Sequence, residues 1–434
     1  MKRGLHMEQR KLNPPPLYDR AAAAVTAIVC LISTADVIRY ALLGNGTATL
    51  AFLLVNALLV LCALGAWKTR LYPAYALIAG LSAVLFCFTN NPGTTLFNFS
   101  FALQALVSGV GATLCTVLLL REKGRLSARG VPFFAALALL MVGWAAVWGA
   151  QTAADKGKTR AEHAVWAVPQ SYDSAECAQP GALEKLDYET KAYATDGRTV
   201  LKSAWVYLPW GYDEARQYNI LYLLHGTGDD EQYWLRTFSY NKTMVDHLIA
   251  NGDIEPLIIV TPTFYVENDC ADDLDRLTYS FKEELRNDLM PAVESRYATY
   301  AASCDDRGFA ASREHRAFAG LSRGAVTTLH SVFCGCLDYF ASFGTFSASR
   351  TPVEQFISAN QTDATRGLPI RYWYVASGTF DFGLVSQIQD RAAILKADPR
   401  LIEGDNTSFD IYPMRYHSMG NWHLALYNFL QKLF

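Results

Sequence analysis

The chain is 434 residues long, 51% apolar and 18% charged, with a formal net charge of −3. That length allows two domains, and the apolar share is high for a purely soluble protein. A near-neutral balance with no basic cluster beyond short loops excludes a nucleic-acid footprint, so no nucleic-acid partner is expected.

Residues 1–20 are polar, with Lys2, Arg3, Arg10, Lys11 and Arg20 around the run Pro14 to Pro16, and read as a cytoplasmic tail. Apolar runs follow at about 21–43, 48–67, 72–90, 98–121 and 131–150, each near the ~20 residues that cross a bilayer. Five spans are predicted over 21–150. The loops after the second and fourth runs carry Lys68 and Arg70, then Arg121, Lys123, Arg125 and Arg129, whereas those near Gly44 to Thr47 and Thr89 to Thr95 carry no Lys or Arg. Positive charge stays inside, so an odd number of spans places everything after Gln151 outside. The expectation is a multi-pass plasma-membrane protein with the bilayer as a partner and an extracytoplasmic catalytic domain. Asp36 and Arg39, an i,i+3 pair near the outer end of the first run, read as self-satisfied at the interface.

Residues 151–184 read as a polar linker, and from about 185 to 434 the texture changes. β-like runs at Tyr188 to Ala194, Ser203 to Leu208, Ile220 to Leu224, Leu257 to Thr261, Arg316 to Ala319, Phe340 to Phe346, Arg371 to Ala376 and Phe409 to Tyr412 alternate with helical ones. The helical candidates are Lys242 to Ala250, Thr278 to Tyr297, Ala325 to Phe333, Phe382 to Leu395 and Asn421 to Leu433. Alternation of this kind predicts an α/β domain with a mostly parallel central sheet. Cys270 and Cys304, in two polar loops, are the best candidate disulfide pair. Cys334 and Cys336 have no His or Cys around them at ligand spacing, so no metal is expected.

Gly320-Leu321-Ser322-Arg323-Gly324 sits between a β-like run and a helical one, the context of a nucleophile elbow. A serine hydroxyl needs an imidazole within reach and a carboxylate to hold its tautomer. With the α/β-hydrolase order of Ser, acid, His, His417 after the last β-like run is the predicted base, ahead of His423 at helical spacing among apolar residues. Asp381, turning off the end of the Arg371 to Ala376 run, is the predicted acid, with Asp390 as fallback. The amide of Arg323 and that of Thr227, in the turn His225-Gly226-Thr227-Gly228, are the predicted oxyanion donors.

The segments YNILYLLHGTGDDEQYW from Tyr218, LIANGDIEPLIIVTPT from Leu248, REHRAFAGLSRGA from Arg313, VASGTFD from Val375 and YHSMGNWHLALYNFLQ from Tyr416 resemble the esterase D-like α/β-hydrolases, especially the bacterial feruloyl esterase branch of carbohydrate esterases. The resemblance spans about 185–434. It implies an α/β-hydrolase fold, a small-molecule or glycan ester substrate, no cofactor, and substrate-binding roles for Gly226, Trp234 and Trp422. His417 is followed by Trp422 at the family's spacing. Departures are Arg323 where many relatives carry Met, no glycine pair before His417, and polar insertions at Tyr265 to Arg276 and Ala301 to Ser312, expected around the acyl and leaving-group pockets. The overall expectation is a membrane-anchored serine esterase. The alternatives are an envelope acyltransferase resembling the mycolyl transferases and an inactive binding module.

Overall fold

The computed structural model describes residues 165–434 apart from 174–175, 267–272, 379–380 and 413–414, together with the isolated positions Ala24, Ala27, Ala57, Val60, Leu61 and Leu64. The expected tail, Asp36, Arg39, Cys270 and, those isolated positions aside, the five expected spans lie outside the described residues. Among the described residues no helix is long and apolar enough to cross a membrane. The chain divides after Val147, and the second unit, Trp148–Phe434, carries the sheet.

Eight strands form one sheet, β1 (Ala182–Lys191), β2 (Thr199–Leu208), β3 (Asn219–Leu224), β4 (Leu257–Thr261), β5 (Arg316–Leu321), β6 (Ser342–Phe346), β7 (Tyr372–Gly378) and β8 (Thr407–Tyr412), in the order β1-β2-β4-β3-β5-β6-β7-β8. β1 and β2 pair antiparallel, as do β2 and β4, and β4 through β8 are parallel. The helices are α1 (Gln170–Asp173), α2 (Tyr240–Ala250), α3 (Leu274–Glu284, extended by wider turns to Glu294), α4 (Asp306–Ala311), α5 (Arg323–Thr327, extended to Phe333), α6 (Val353–Asn360), α7 (Leu384–Ala397) and α8 (Met419–Leu430).

Burial follows from this layering. In edge strand β1, Leu186, Tyr188 and Thr190 are buried and alternate with exposed neighbours, the period of a half-covered strand. β4 and β5 are buried at every position, because helices cover both faces of a parallel sheet. Ile220, Tyr222, Val260 and Phe318 pack with Phe281 and Leu285 of α3 on one face. Leu221, Leu223, Ile259 and Ala319 pack with Met244 of α2 and Leu426 of α8 on the other.

Two buried ion pairs bind helix to strand. Arg316 at the start of β5 meets Glu294 at 2.7 and 2.9 Å, and its remaining donors reach Phe309 O, Tyr339 O and Ser312 Oγ. Lys202 of β2 donates to Glu284 of α3 at 2.7 Å, and Tyr188 donates to the same carboxylate.

The structure corrects two boundaries. Part of the expected 151–184 linker is folded onto the domain: Val165, Ala167, Val168 and Tyr172 are at most 5% exposed, and Asn428 and Arg415 donate to the carbonyls of Val165 and Trp166. The folded α/β unit therefore reaches back at least to Val165 instead of starting at 185. Four apolar residues in a polar stretch are too few to show a period, so only the contact with α8 reveals them. The first strand also ends at Lys191, because Ala192 N turns to bond Arg198 O.

Candidate active site

β5 delivers the elbow. Ser322 has φ 49° and ψ −114°, a conformation costly for an L-residue and kept only where the surroundings over-determine it. Its amide is pinned to Phe346 O at 2.7 Å. The flanking glycines are needed for closeness: a Cβ on Gly320 would lie 2.5 Å from the Gly324 carbonyl carbon, and one on Gly324 would lie 2.5 Å from His225 O. The elbow and the turn that follows β3 are thus packed backbone to backbone.

The C-terminal ends of β7 and β8 bring up the partners. His417 Nε2 lies 2.9 Å from Ser322 Oγ, and its Nδ1 lies 2.9 Å from Asp381 Oδ1. That oxygen also accepts from Gly383 N at 2.8 Å. His417 and Asp381 are 2% and 5% exposed, so the relay is shielded from water. In this arrangement Nδ1–H donates to the carboxylate and Nε2 is free to accept the serine proton.

Four residues that sequence reasoning did not single out complete the site. Ser347, at φ 69°, accepts hydrogen bonds on Oγ from Asn421 Nδ2 at 3.0 Å and Trp422 Nε1 at 2.8 Å, joining β6 to α8. The Phe382 ring lies 4.0 Å from the His417 ring and is 53% exposed, a ring at the mouth. Asp229 accepts from Gly226 N at 3.2 Å. Phe382 and Asn421 adjoin motif residues, which is a usable signal, whereas nothing in the sequence marks Ser347.

On the oxyanion side, Gly226 is buried and a Cβ there would lie 3.3 Å from Ser322 Cβ. Its carbonyl bonds His225 Nδ1 at 2.8 Å, and His225 Nε2 meets Thr263 Oγ1 at 2.7 Å. Burial lowers the His225 pKa to about 4, so the ring is neutral, donating from Nδ1 and accepting at Nε2. Gly228 N donates to Tyr265 Oη. Thr227 is left exposed, with no acceptor for its amide among the described residues, and Arg323 opens α5, where an amide has no intrahelical acceptor.

Several expected roles are corrected. Trp234 is fully buried, its indole donating to Leu224 O at 3.0 Å, so it braces the end of β3 and presents no surface to solvent. Trp422 is 1% exposed and meets His417 edge-on at 5.0 Å; it supports the base from behind. Of the expected binding residues only Gly226 borders the nucleophile. Insertion Ala301 to Ser312 lies away from the site: it leads into the N-terminal end of β5, the opposite edge of a parallel sheet from Ser322. In the other insertion, Asp275 pairs with Arg323 and lies 3.3 Å from Arg350. His423 Nδ1 is bound to Asn241 Oδ1, and Asp390 accepts from Ser349 Oγ and Thr351 N, so neither competes for the relay. Cys304 is a free thiol among the described residues, and its expected partner Cys270 lies outside them. Among the described residues no three His, Cys, Asp or Glu gather as a metal site.

Known proteins resemble this chain in sequence and in fold. The Esterase family model matches residues 202–374. Endo-1,4-beta-xylanase Y of Acetivibrio thermocellus is 39% identical over 216 residues, 49% of this chain and 19% of that protein. An endo-1,4-beta-xylanase/feruloyl esterase of Xylanibacter ruminicola is 31% identical over 134 residues, 30% of this chain and 17% of that protein. The chain thus spans under a fifth of the length of these curated relatives. A solved feruloyl esterase module from Clostridium thermocellum, a serine-to-alanine mutant complexed with sinapinate, is 33% identical with a TM-score of 0.55, covering 64% of this chain and 96% of that one. On that near-complete coverage of a solved module, the chain belongs to the feruloyl and carbohydrate esterase family, on an α/β-hydrolase-like fold with a mostly parallel sheet.

Proposed function

We propose that the protein is a serine esterase that hydrolyses carboxylic esters of the feruloyl or acyl-carbohydrate type through an acyl-enzyme. Ser322 Oγ attacks the ester carbonyl as His417 Nε2 takes its proton, and Asp381 steadies the imidazolium. The amides of Arg323 and Thr227 bind the oxyanion of the tetrahedral intermediate. Collapse breaks the ester bond, and the leaving alcohol takes the proton from His417. Water, deprotonated by the same imidazole, then releases the acid. The observation that carries this reading is the hydrogen-bonded chain Ser322–His417–Asp381 at the C-terminal edge of the sheet, where open α/β sheets place their sites.

The charge pattern of residues 1–150 supports a membrane-anchored enzyme acting on the extracytoplasmic face. The test is turnover of p-nitrophenyl acetate and methyl hydroxycinnamates by the full-length chain. Ser322→Ala is expected to abolish it. Acyl transfer to an added sugar in preference to water makes the protein an acyltransferase. A folded chain with neither turnover nor labelling by a serine-directed phosphonate is a binding module.

A further inference from the structure

Asp229 is a half-buried carboxyl beside the nucleophile that the acyl-transfer scheme leaves unused. Its Oδ2 accepts from Gly226 N, while its own amide donates back to Gly226 O at 3.4 Å. Gly226 O is also held by His225, so both polar groups of Gly226 are engaged, while the next amide, Thr227, has no acceptor among the described residues. The place a Gly226 Cβ would occupy is 3.0 Å from Asp229 Oδ2 and 3.3 Å from Ser322 Cβ, so carboxyl and nucleophile flank one Cα.

We propose that Asp229 is a positioning residue for ester cleavage: its carboxyl clamps the Gly226–Thr227 turn in the shape that presents the oxyanion donor, and the clamp works in its uncharged form. This rests on the Ser322 acyl-enzyme reading. The uncharged form matters because a carboxylate at this place would face the negative charge that develops on the substrate oxygen, and like charges in a partly buried site repel strongly. Burial first, and then neighbouring Asp230, raise the Asp229 pKa to about 7, against the lowering effect of the Gly226 amide. The elbow presents the Leu321 side chain and Ser322 Cβ to this turn, and His225, bonded to Gly226 O, is neutral. Asp230 is therefore the one charged group that bears on Asp229 among the described residues.

The test is the pH profile of kcat/KM for p-nitrophenyl acetate on the full-length wild type, Asp229→Asn and Asp229→Ala, with phosphonate labelling of each. Asparagine keeps an accepting oxygen and cannot ionise. The wild type is expected to lose kcat/KM as pH rises through about 7, and Asp229→Asn to stay level and exceed it about tenfold near pH ~8.5. Asp229→Ala, lacking the clamp, is expected to lie about tenfold below Asp229→Asn at every pH. Superimposable wild-type and Asp229→Asn profiles overturn the proposal, as does an alanine variant as active as Asp229→Asn. If alanine prevents folding, the asparagine profile decides alone. A wild type that is neither active nor labelled overturns the Ser322 reading, and this proposal with it.

Discussion

Asp381 uses one oxygen for two donors, His417 Nδ1 and Gly383 N. Its position is set by backbone, and its charge by the imidazolium it must face. Replacing it with Asn presents an amide where a carboxylate is needed and favours the wrong tautomer of His417. Asp381→Asn is expected to lower kcat by about 10⁴-fold with the fold intact, read by steady-state kinetics beside thermal melting. Trp422 allows a sharper distinction. Its indole N–H holds Ser347 Oγ and its edge holds the His417 ring, but buried as it is it touches no substrate. Trp422→Phe is therefore expected to cost about 1 kcal/mol of stability and to lower kcat with KM unchanged. A rise in KM alone would restore the substrate-binding role that its place in the motif suggested.

At the scale of elements, the site depends on how closely β3 and β5 deliver their loops. Gly324 touches the carbonyls of Leu224 and His225, and backbone cannot step aside for a methyl group. Gly324→Ala is expected to destabilise the domain by roughly 2–4 kcal/mol and to abolish turnover by parting the elbow from the Thr227 amide. Further down, Glu294 receives Arg316, Tyr222 and Thr299 with its side chain fully buried. Glu294→Ala strands the buried guanidinium of Arg316 and is expected to cost about 3–5 kcal/mol, measured by urea unfolding. Because Arg316 begins the strand that ends in Ser322, an active Glu294→Ala of unchanged stability would show that the pair is dispensable for placing the elbow.

For the whole molecule, the oxyanion turn carries two groups whose stability effects run oppositely with pH. His225 has a folded pKa of about 4, below its ordinary 6.5, so its contribution is present above 6.5 and lost as pH falls toward 4. Asp229 has a folded pKa of about 7, above 3.8, so its contribution is present below 3.8 and lost as pH rises toward 7. Asp229→Asn is therefore expected to be more stable than the wild type by roughly 2–4 kcal/mol near pH ~8, with no such gain near pH ~4, read by urea unfolding at both pH values. The charge asymmetry of the first 150 residues makes a separate prediction. The chain should sediment with membranes, and protease added outside intact cells should cleave beyond Gln151; a chain recovered free of membrane would refute the spans.

The residues of the relay were legible because chain order, glycine spacing and strand ends are local features. Ser322 lies between a buried run and a helical one, Asp381 ends a β-like run, and His417 follows the last. The buried strands β4 and β5 were marked by apolar runs because a strand covered on both faces must be apolar along its length. Tertiary structure alone decided which aromatic side chains face the site. Trp234 and Trp422 share motifs with catalytic residues yet point into the core, while Phe382 stands over His417. It alone folded Val165 to Tyr172 onto α8, set Ala301 to Ser312 at the far edge of the sheet, and brought Ser347 to Trp422 and Asp229 to Gly226. Such contacts depend on how separate segments pack, and no spacing along one chain encodes the environment of a side chain once distant residues close around it.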